Sequence, residues 1–252
     1  MSNLNNWKPR IVNGVTFVAL FGLWYAVSSL SLIDPIFLPS PIKVAYSFLE
    51  LLSPHFLTEH FLPSFFRVSF AFLISIVIAL PLGIMSSQFQ WAMKIIDPLC
   101  GFARYLPVAA LVPLCILWFG IDDGQKVAVI TIGIVFQLVL LFAADTALVP
   151  AELIETGRTF GLTKIQIIRR IVLPWAMPAI WEDLRISAGW AWSYLILAEL
   201  VAGNSGIGYF VVQSQRYLET ANVFAGILFI GLLGLLTDLA FHMVGARLFR
   251  WL

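Results

Sequence analysis

The sequence predicts an all-α, polytopic membrane protein whose six transmembrane helices form one domain over residues 1–252. Of the 252 residues, 60% are hydrophobic and 12% are charged, which is about half the charged fraction of an ordinary soluble domain. So few charges suit a surface that faces lipid. Six apolar stretches are also long enough to cross a bilayer, which takes about 20 helical residues. These stretches cover about 11–31, 65–86, 99–118, 127–147, 178–201 and 222–246.

The first stretch follows Lys8 and Arg10, an arrangement that a secretory signal peptide shares. Its length exceeds the usual hydrophobic region of such a peptide and is sufficient to span a membrane. We therefore favour a retained first helix over a cleaved leader.

Two polar or proline-rich segments between the spans are expected at the membrane surface. In residues 32–64, Val44, Phe48 and Leu51 recur at helical spacing between prolines, which predicts a short amphipathic helix. Residues 203–221 begin with a glycine-rich turn and continue into a second interfacial helix that ends near Glu219.

The third stretch contains Pro107 and Pro113, which predict either a broken helix that frees backbone groups to face a cavity or a plain kink.

The distribution of basic residues predicts the orientation in the membrane. With the N-terminus inside, nine basic residues fall in the cytoplasm and three fall outside, which fits the cytoplasmic excess of Lys and Arg in membrane proteins. Both termini are therefore predicted to be cytoplasmic. The formal net charge of +1 gives no basic surface for nucleic acid, so we expect membrane lipid and no nucleic acid among the partners.

One cytoplasmic connection, residues 148–177, is too elaborate for a simple loop. Pro150 suits the first turn of a helix, and Gly161 offers the left-handed residue that commonly ends one. Thr163 and Gln166 then have the spacing of a capping box that starts a second helix, and Pro174 is expected to end that helix. The sequence thus predicts two short helices joined at a glycine, held as a rigid knob.

This knob carries a motif with fixed spacing. The motif consists of Glu155-Thr156-Gly157, Gly161 and Ile171-Val172-Leu173-Pro174. It resembles the EAA loop of the permease subunits of ATP-driven (ABC-type) importers, with the two alanines replaced by the small residues Thr156 and Gly157. The resemblance implies a cytoplasmic coupling-helix loop, called the coupling loop (residues 148–177) below, that docks into a separate ATPase subunit.

Shorter motifs extend the resemblance to most of the chain. They are Arg104-Tyr105-Leu106-Pro107, Val112-Pro113-Leu114, Trp118-Phe119-Gly120-Ile121, Leu184-Arg185, Gly189-Trp190, Ala198-Glu199 and Gly206-Ile207-Gly208. Together they resemble the nitrate, sulfonate, taurine and bicarbonate group of these permeases, although proline often stands where this chain has Tyr105.

The resemblance implies a bacterial inner-membrane permease that works as a homodimer with two ATPase copies and an extracytoplasmic solute-binding protein. The implied solute is a small anion such as nitrate, bicarbonate, taurine or another sulfonate; a thiamine-precursor-like pyrimidine is an alternative. ATP and Mg²⁺ would be bound by the partner ATPase, so no cofactor is expected in this chain.

Charged and aromatic residues within the spans are candidates for the solute pathway. A charge at the bilayer centre costs about 2.5–3.5 kcal/mol, so each should face the protein interior, a partner or an interface. The alternative is a structural role, either in buried pairs or as anchors near span ends. Anchoring is the expectation for Arg67, Asp145 and Asp238, which lie close to span ends. The candidates for the pathway are Arg104, Arg185, Trp190, Trp192 and Glu199.

The helical spacing of the fifth span divides these candidates between two faces. Trp190, Ser193 and Leu197 share one face, and Trp192 shares another with Glu199. One face is expected to line a pore and the other to pack on helices or lipid.

The sequence offers no catalytic centre. The three histidines lack the spacing of metal ligands, and no phosphate loop or nucleophile motif occurs, so we expect no metal site and no enzymatic activity. A secondary transporter or channel is the main rival interpretation, but it predicts an inverted repeat that the sequence lacks and leaves the knob unexplained. An intramembrane enzyme is the second rival interpretation. It would need a cluster of His, Asp or Ser that faces one cavity, and the three scattered histidines do not supply one.

Overall fold

The computed structural model describes residues 7–30, 32–201 and 203–250, and within them it contains helices and no strand, which confirms the all-α prediction. Two π turns, Leu57–Phe61 and Ile168–Val172, lead into long helices. The α-helices are α1 Trp7–Ser29, α2 Pro41–Glu50, α3 Pro54–Phe56, α4 Leu62–Gln88, α5 Gln90–Ala103, α6 Val108–Phe119, α7 Asp123–Ala147, α8 Ala151–Thr159, α9 Lys164–Ile167, α10 Leu173–Leu200, α11 Ile207–Arg216 and α12 Thr220–Leu248.

Helix α7 is the centre of the fold and packs against α4 on one side and α10 on the other. Its residues Ile130, Ile134, Leu138 and Phe142 recur every four positions, so they form one stripe, and all are fully buried. Helix α4 comes so close that a Cβ atom at Gly83 would lie 2.7 Å from Cβ of Phe142. The close packing of α4 on α7 therefore depends on a glycine at this position.

The predicted spans correspond to helices, but not every one of these helices is both long enough and apolar enough to cross a membrane by itself. Three segments are long and apolar enough: Pro54–Gln88, helix α7 and helix α12. The bent pair α5–α6 adds a fourth if it is counted as one span. Helix α10 is long enough but carries Glu182, Asp183, Arg185 and Glu199. The six-span count therefore stays a prediction.

The predicted first span coincides with α1, whose apolar part in the described residues is Val18–Ser29. Residue 31, the end of that predicted span, lies outside the described residues.

The predicted break in the third span lies between α5 and α6, which meet at an angle of 103°. Pro107 is the extended N-cap residue of α6, so it ends the turn that begins at Arg104. The proposal that Pro113 also breaks this span is wrong, because α6 continues across it. Pro113 has no N–H to donate to the carbonyl of Ala109, four residues back, and Ala109 is exposed, so this carbonyl is not enclosed within the protein.

Both predicted surface helices are present. Helix α2 starts at the N-cap Ser40, and its buried residue Val44 belongs to a helix face that packs against α12. Helix α11 follows the glycine-rich turn and ends at Arg216, three residues before the predicted end.

Candidate functional site

The first helix of the coupling loop, α8, ends at Gly161 in the manner that the sequence predicts. Gly161 has φ of +73°, which places it in the left-handed region that favours glycine. The N–H of Leu162 donates to the carbonyl of Gly157 at 3.0 Å, and the N–H of Gly161 donates to that of Arg158 at 2.9 Å. These two bonds form a Schellman motif, so the last carbonyls of α8 are satisfied and the turn is fixed.

The second helix of the loop begins with the predicted capping box. The backbone N–H of Thr163 donates to Oε1 of Gln166 at 2.8 Å, and the N–H of Gln166 donates to Oγ1 of Thr163 at 3.4 Å. Two amide groups at the helix start are thereby satisfied, which stabilises the sharp change of direction after Gly161.

The prediction that Pro174 ends this helix is wrong. From Lys164 the chain stays helical through the π turn Ile168–Val172 and directly into α10. A proline interferes with the carbonyl four residues before it, and the wider π turn shifts the register just before Pro174. Leu173 N–H consequently donates to Ile168, five residues back. The coupling loop is therefore continuous with the fifth predicted span.

Helix α8 packs on this continuous segment through Gly157, which is buried. A Cβ atom there would lie 2.6 Å from Cδ1 of Ile171 and 3.3 Å from Cγ1 of Ile167, so only glycine permits the contact as it stands. Val149, Ile154, Leu162 and Val172 complete a small apolar core. The two helices of the loop form one packed unit.

The remaining residues of the predicted coupling motif lie at or near the surface of this unit. Glu155, Thr156 and Pro174 are exposed, and Leu173 is half-buried. The Thr156 hydroxyl donates to the carbonyl of Glu152 at 2.7 Å, so this position of the motif is satisfied within α8.

The structure adds two exposed apolar residues that the motif did not identify as contact residues. Phe160, beside Gly161 at the tip of the loop, is 80% exposed, and Ile165 is 64% exposed. A large aromatic residue next to a helix-ending glycine in a predicted cytoplasmic loop was the available signal for Phe160. These two side chains are available for contact with a partner, because nothing in the loop covers them.

Two of the five pathway candidates meet at one cavity. Arg104, at the α5–α6 break, and Trp190, on α10, line a cavity of about 400 Å³. This space, called the Arg104 cavity, is completed by α7 and α10. Its other lining residues are Gly133, Gln137, Ser193 and Tyr194, which sequence reasoning did not connect with Arg104. No local spacing relates these residues to Arg104, so the cavity could not be predicted from a sequence pattern.

Arg185 and Trp192 lie elsewhere. Arg185 Nε lies 2.6 Å from Oδ1 of Asp238, and its Nη1 lies 2.9 Å from Oε2 of Glu182. Trp192 is 4% exposed and donates its indole N–H to Oγ1 of Thr237 on α12 at 3.0 Å. Both side chains thus hold α10 against its neighbours. Their assignment to the solute pathway stays a prediction.

Glu199 is the centre of a buried polar network at the end of α10. Its Oε1 accepts from Arg67 Nη1 at 2.6 Å, its Oε2 accepts from the N–H of Gly208 at 2.8 Å, and Ser64 Oγ lies 2.8 Å from Oε1. Arg67 Nε is also 2.7 Å from Oδ1 of Asp123. These residues are called the Glu199 network. Arg67 is 4% exposed, so the expectation of an anchor at the span end is wrong.

The glycine-rich turn after α10 wraps around the Glu199 carboxylate. Gly206 has φ of +112°, and a Cβ atom there would collide with both carboxylate oxygens. Arg67 Nη2 donates to Ser205 Oγ at 2.9 Å in the same turn. The network therefore fixes α4, α7, α10 and the turn before α11 to one another.

No group of three or more His, Cys, Asp or Glu residues that could hold a metal ion occurs within residues 7–30, 32–201 and 203–250.

A family model described as the binding-protein-dependent transport system inner membrane component matches residues 75–250. The taurine transport system permease protein TauC of Escherichia coli (strain K12) is 31% identical over 241 residues, which cover 94% of this chain and 88% of TauC. SsuC of Bacillus subtilis (strain 168), provisionally named as an aliphatic sulfonates transport permease protein, is 31% identical over 232 residues, 92% of this chain and 84% of SsuC.

Among solved structures, the MetNI methionine ABC transporter in an inward-facing conformation is similar, with a TM-score of 0.65 at 18% identity. The match covers 78% of this chain and 99% of the matched one. At this identity the likeness shows the fold alone.

Proposed function

Because this chain belongs to the family of binding-protein-dependent transport system inner membrane components, we propose that it forms the translocation path of an ATP-driven importer for a small anion. It is a multi-pass protein of the inner membrane. The solute is a sulfonate, taurine, nitrate or bicarbonate. The names of TauC and SsuC support the sulfonate class among these. A thiamine-precursor-like pyrimidine is the alternative cargo.

The continuity of the coupling loop with α10 carries this proposal. Residues from Lys164 to Leu200 form one helical path, and α8 packs on its beginning through Gly157. A force applied to α8 is therefore transmitted to α10 instead of being absorbed by a flexible loop. The same helix carries Trp190 and Ser193, which line the Arg104 cavity. Movement of the loop would thus displace residues that line a candidate site for the solute.

We infer the partners from the family to which the chain belongs. Two copies of a cytoplasmic ATPase receive the coupling loops of two copies of this chain, and an extracytoplasmic binding protein delivers the solute. ATP and Mg²⁺ bind to the ATPase, which is also where ATP is hydrolysed. ATP has different affinities for the open and the closed ATPase pair, so its binding shifts the permease between two states. A secondary transporter has no ATPase subunit, so a rigid loop that is continuous with a span would have no role in it. This disfavours that alternative.

The test is native mass spectrometry of the chain purified from its own host in mild detergent. We expect two copies of the chain with two copies of an ATPase. Glu155→Lys and Gly161→Pro should lose the ATPase or uncouple its hydrolysis from transport, with membrane insertion intact. Glu50→Lys is the matched control, because Glu50 is exposed on α2 and undergoes the same change of charge. A chain that purifies without an ATPase, or coupling that is unchanged in both loop variants, would refute the proposal.

A further inference from the structure

The Arg104 cavity is lined by hydrogen-bond donors and contains no carboxylate. Its polar lining consists of one guanidinium, one side-chain amide, one indole N–H and two hydroxyl groups. All of them can donate, and the guanidinium and the indole can only donate. A ligand rich in acceptor oxygens therefore matches this lining, whereas a cation would find no counter-charge.

Most of these donors have no hydrogen-bond partner among the residues that the structure describes. In the part of the chain that the structure describes, the side chains of Gln137, Trp190 and Tyr194 make no hydrogen bond. Ser193 donates only to the carbonyl of Gly189 in its own helix, at 3.4 Å. Gln137 and Tyr194 are half-buried, so their polar groups are partly removed from solvent. Their donor groups are therefore free to bind a molecule that enters the cavity.

The charge of Arg104 is also uncompensated. Its Nη2 donates to the hydroxyl of Tyr105 at 2.9 Å, and its guanidinium lies 4.8 Å from the centre of that ring. No Asp or Glu among the described residues forms an ion pair with it, although Arg67 and Arg185 both have such partners. An arginine at a break in a membrane span is costly without a counter-ion. An anion in the cavity would supply one.

The walls of the cavity suit a small organic group. Tyr194 lies so close to α7 that a Cβ atom at Gly133 would be 2.7 Å from its ring, so the glycine provides the space that the ring occupies. Trp190 offers a second aromatic side chain, 37% exposed. The volume of about 400 Å³ falls within the range of small-molecule sites.

We propose that the Arg104 cavity is an intramembrane subsite for a small alkanesulfonate. Arg104 and Gln137 donate to the sulfonate oxygens, and Trp190 packs against the alkyl group. This assignment rests on the proposed function and adds a site and a ligand class to it. The absence of a carboxylate in the lining predicts that ethanesulfonate binds better than taurine, because the taurine ammonium group has no counter-ion there.

The test is a titration with ethanesulfonate of the full chain, purified with its ATPase and reconstituted in lipid nanodiscs, followed by calorimetry and tryptophan fluorescence. Arg104→Gln should weaken binding by about tenfold or more, since charged hydrogen bonds are the strongest ones here. Gln137→Leu should weaken it by a smaller factor. Trp190→Phe should remove the fluorescence change while calorimetry still detects binding.

The matched control is Arg216→Gln, which neutralises an arginine that lines a different cavity, on α11. We expect no change in ethanesulfonate affinity in this variant. The neutral probe ethyl methyl sulfone, which resembles ethanesulfonate without its charge, should not bind.

Three results would overturn the subsite: no ethanesulfonate binding by the wild-type complex, equal weakening by Arg216→Gln, or equal binding of the neutral sulfone. Each leaves the proposed function intact as long as the ATPase co-purifies and its hydrolysis responds to the permease. Conversely, a chain that binds ethanesulfonate but has no ATPase partner would refute the importer and keep the subsite.

Discussion

The Nη1 atom of Arg67 lies 2.6 Å from Oε1 of Glu199, and the two side chains are 4% and 0% exposed. The residues are 132 positions apart in the chain, on α4 and α10. Burying two charges costs solvation free energy, which is recovered only if the remaining polar atoms are satisfied. Ser64, Ser205 and Gly208 provide those additional hydrogen bonds. The pair is thus held by partners on α4 and in the turn before α11, and the assignment of Glu199 to the solute pathway stays a prediction.

Removing one member of this pair is expected to destabilise the protein strongly. Glu199→Ala should lower the free energy of unfolding by about 3–5 kcal/mol, because it leaves the Arg67 charge buried without its closest counter-ion. Denaturant titration in detergent, followed by circular dichroism, measures the change. Asp238→Ala is the control: its partner Arg185 has a side chain that is 28% exposed, so water can replace the lost carboxylate. An equal loss in the two variants would contradict the importance of burial.

The turn around Glu199 should be sensitive to a single methyl group. Gly206→Ala combines a strained φ of +112° with a Cβ atom that collides with the carboxylate, so we expect a lower melting temperature. Gly189→Ala is the control, because a Cβ atom there meets nothing within 4 Å and Gly189 is inside a helix. Its expected effect is a stabilisation of up to about 1 kcal/mol. A melting temperature that Gly206→Ala leaves unchanged would exclude the close fit of the turn.

Local chemistry explains what the sequence predicted correctly. The ending of α8 at Gly161 and the capping box at Thr163 depend on residues within five positions of each other, so their spacing alone specifies them. The division of α10 into two faces is also a local property, because it follows from the helical spacing of nearby residues. Trp192 and Glu199 are buried on one face, whereas Ser193 on the other is exposed.

Other features depend on contacts between distant parts of the chain. The pairing of Glu199 with Arg67 and the meeting of Arg104 with Gln137 depend on how helices pack, which local spacing does not encode. The continuation of the helix across Pro174 depends on the π turn before it. A rule that ends a helix at every proline therefore fails here, because it does not take into account a π turn that accommodates the proline.

The packing of the coupling loop should tolerate a small side chain at position 157 better than a large one. A Cβ atom at Gly157 meets the ends of Ile171 and Ile167, which can move slightly, so Gly157→Ala is expected to retain most of the coupling. Gly157→Leu should separate α8 from the start of α10 and uncouple ATP hydrolysis from transport. Solute uptake and ATPase activity, measured together in proteoliposomes, distinguish the two. Full coupling in the leucine variant would show that α8 does not need to pack on this segment.

Phe160 is expected to contribute to ATPase binding without contributing to the stability of this chain. It is 80% exposed, so Phe160→Ser removes no packing, and the free energy of unfolding should change by no more than about 0.5 kcal/mol. An aromatic residue at the centre of an interface can contribute about 2 kcal/mol or more, which corresponds to a loss of about thirtyfold or more in ATPase affinity.

Phe37→Ser is the matched control for this prediction, since Phe37 is 74% exposed in the segment before α2, far along the chain from the coupling loop. Quantitative co-purification of the ATPase with each variant gives the comparison. If both serine variants retain the ATPase equally, the tip of the loop is not part of the interface. If both lose it, the effect reflects exposed apolar surface in general. Loss in Phe160→Ser alone locates the contact at the turn that Gly161 fixes, where a push from the ATPase would enter the helical path to α10.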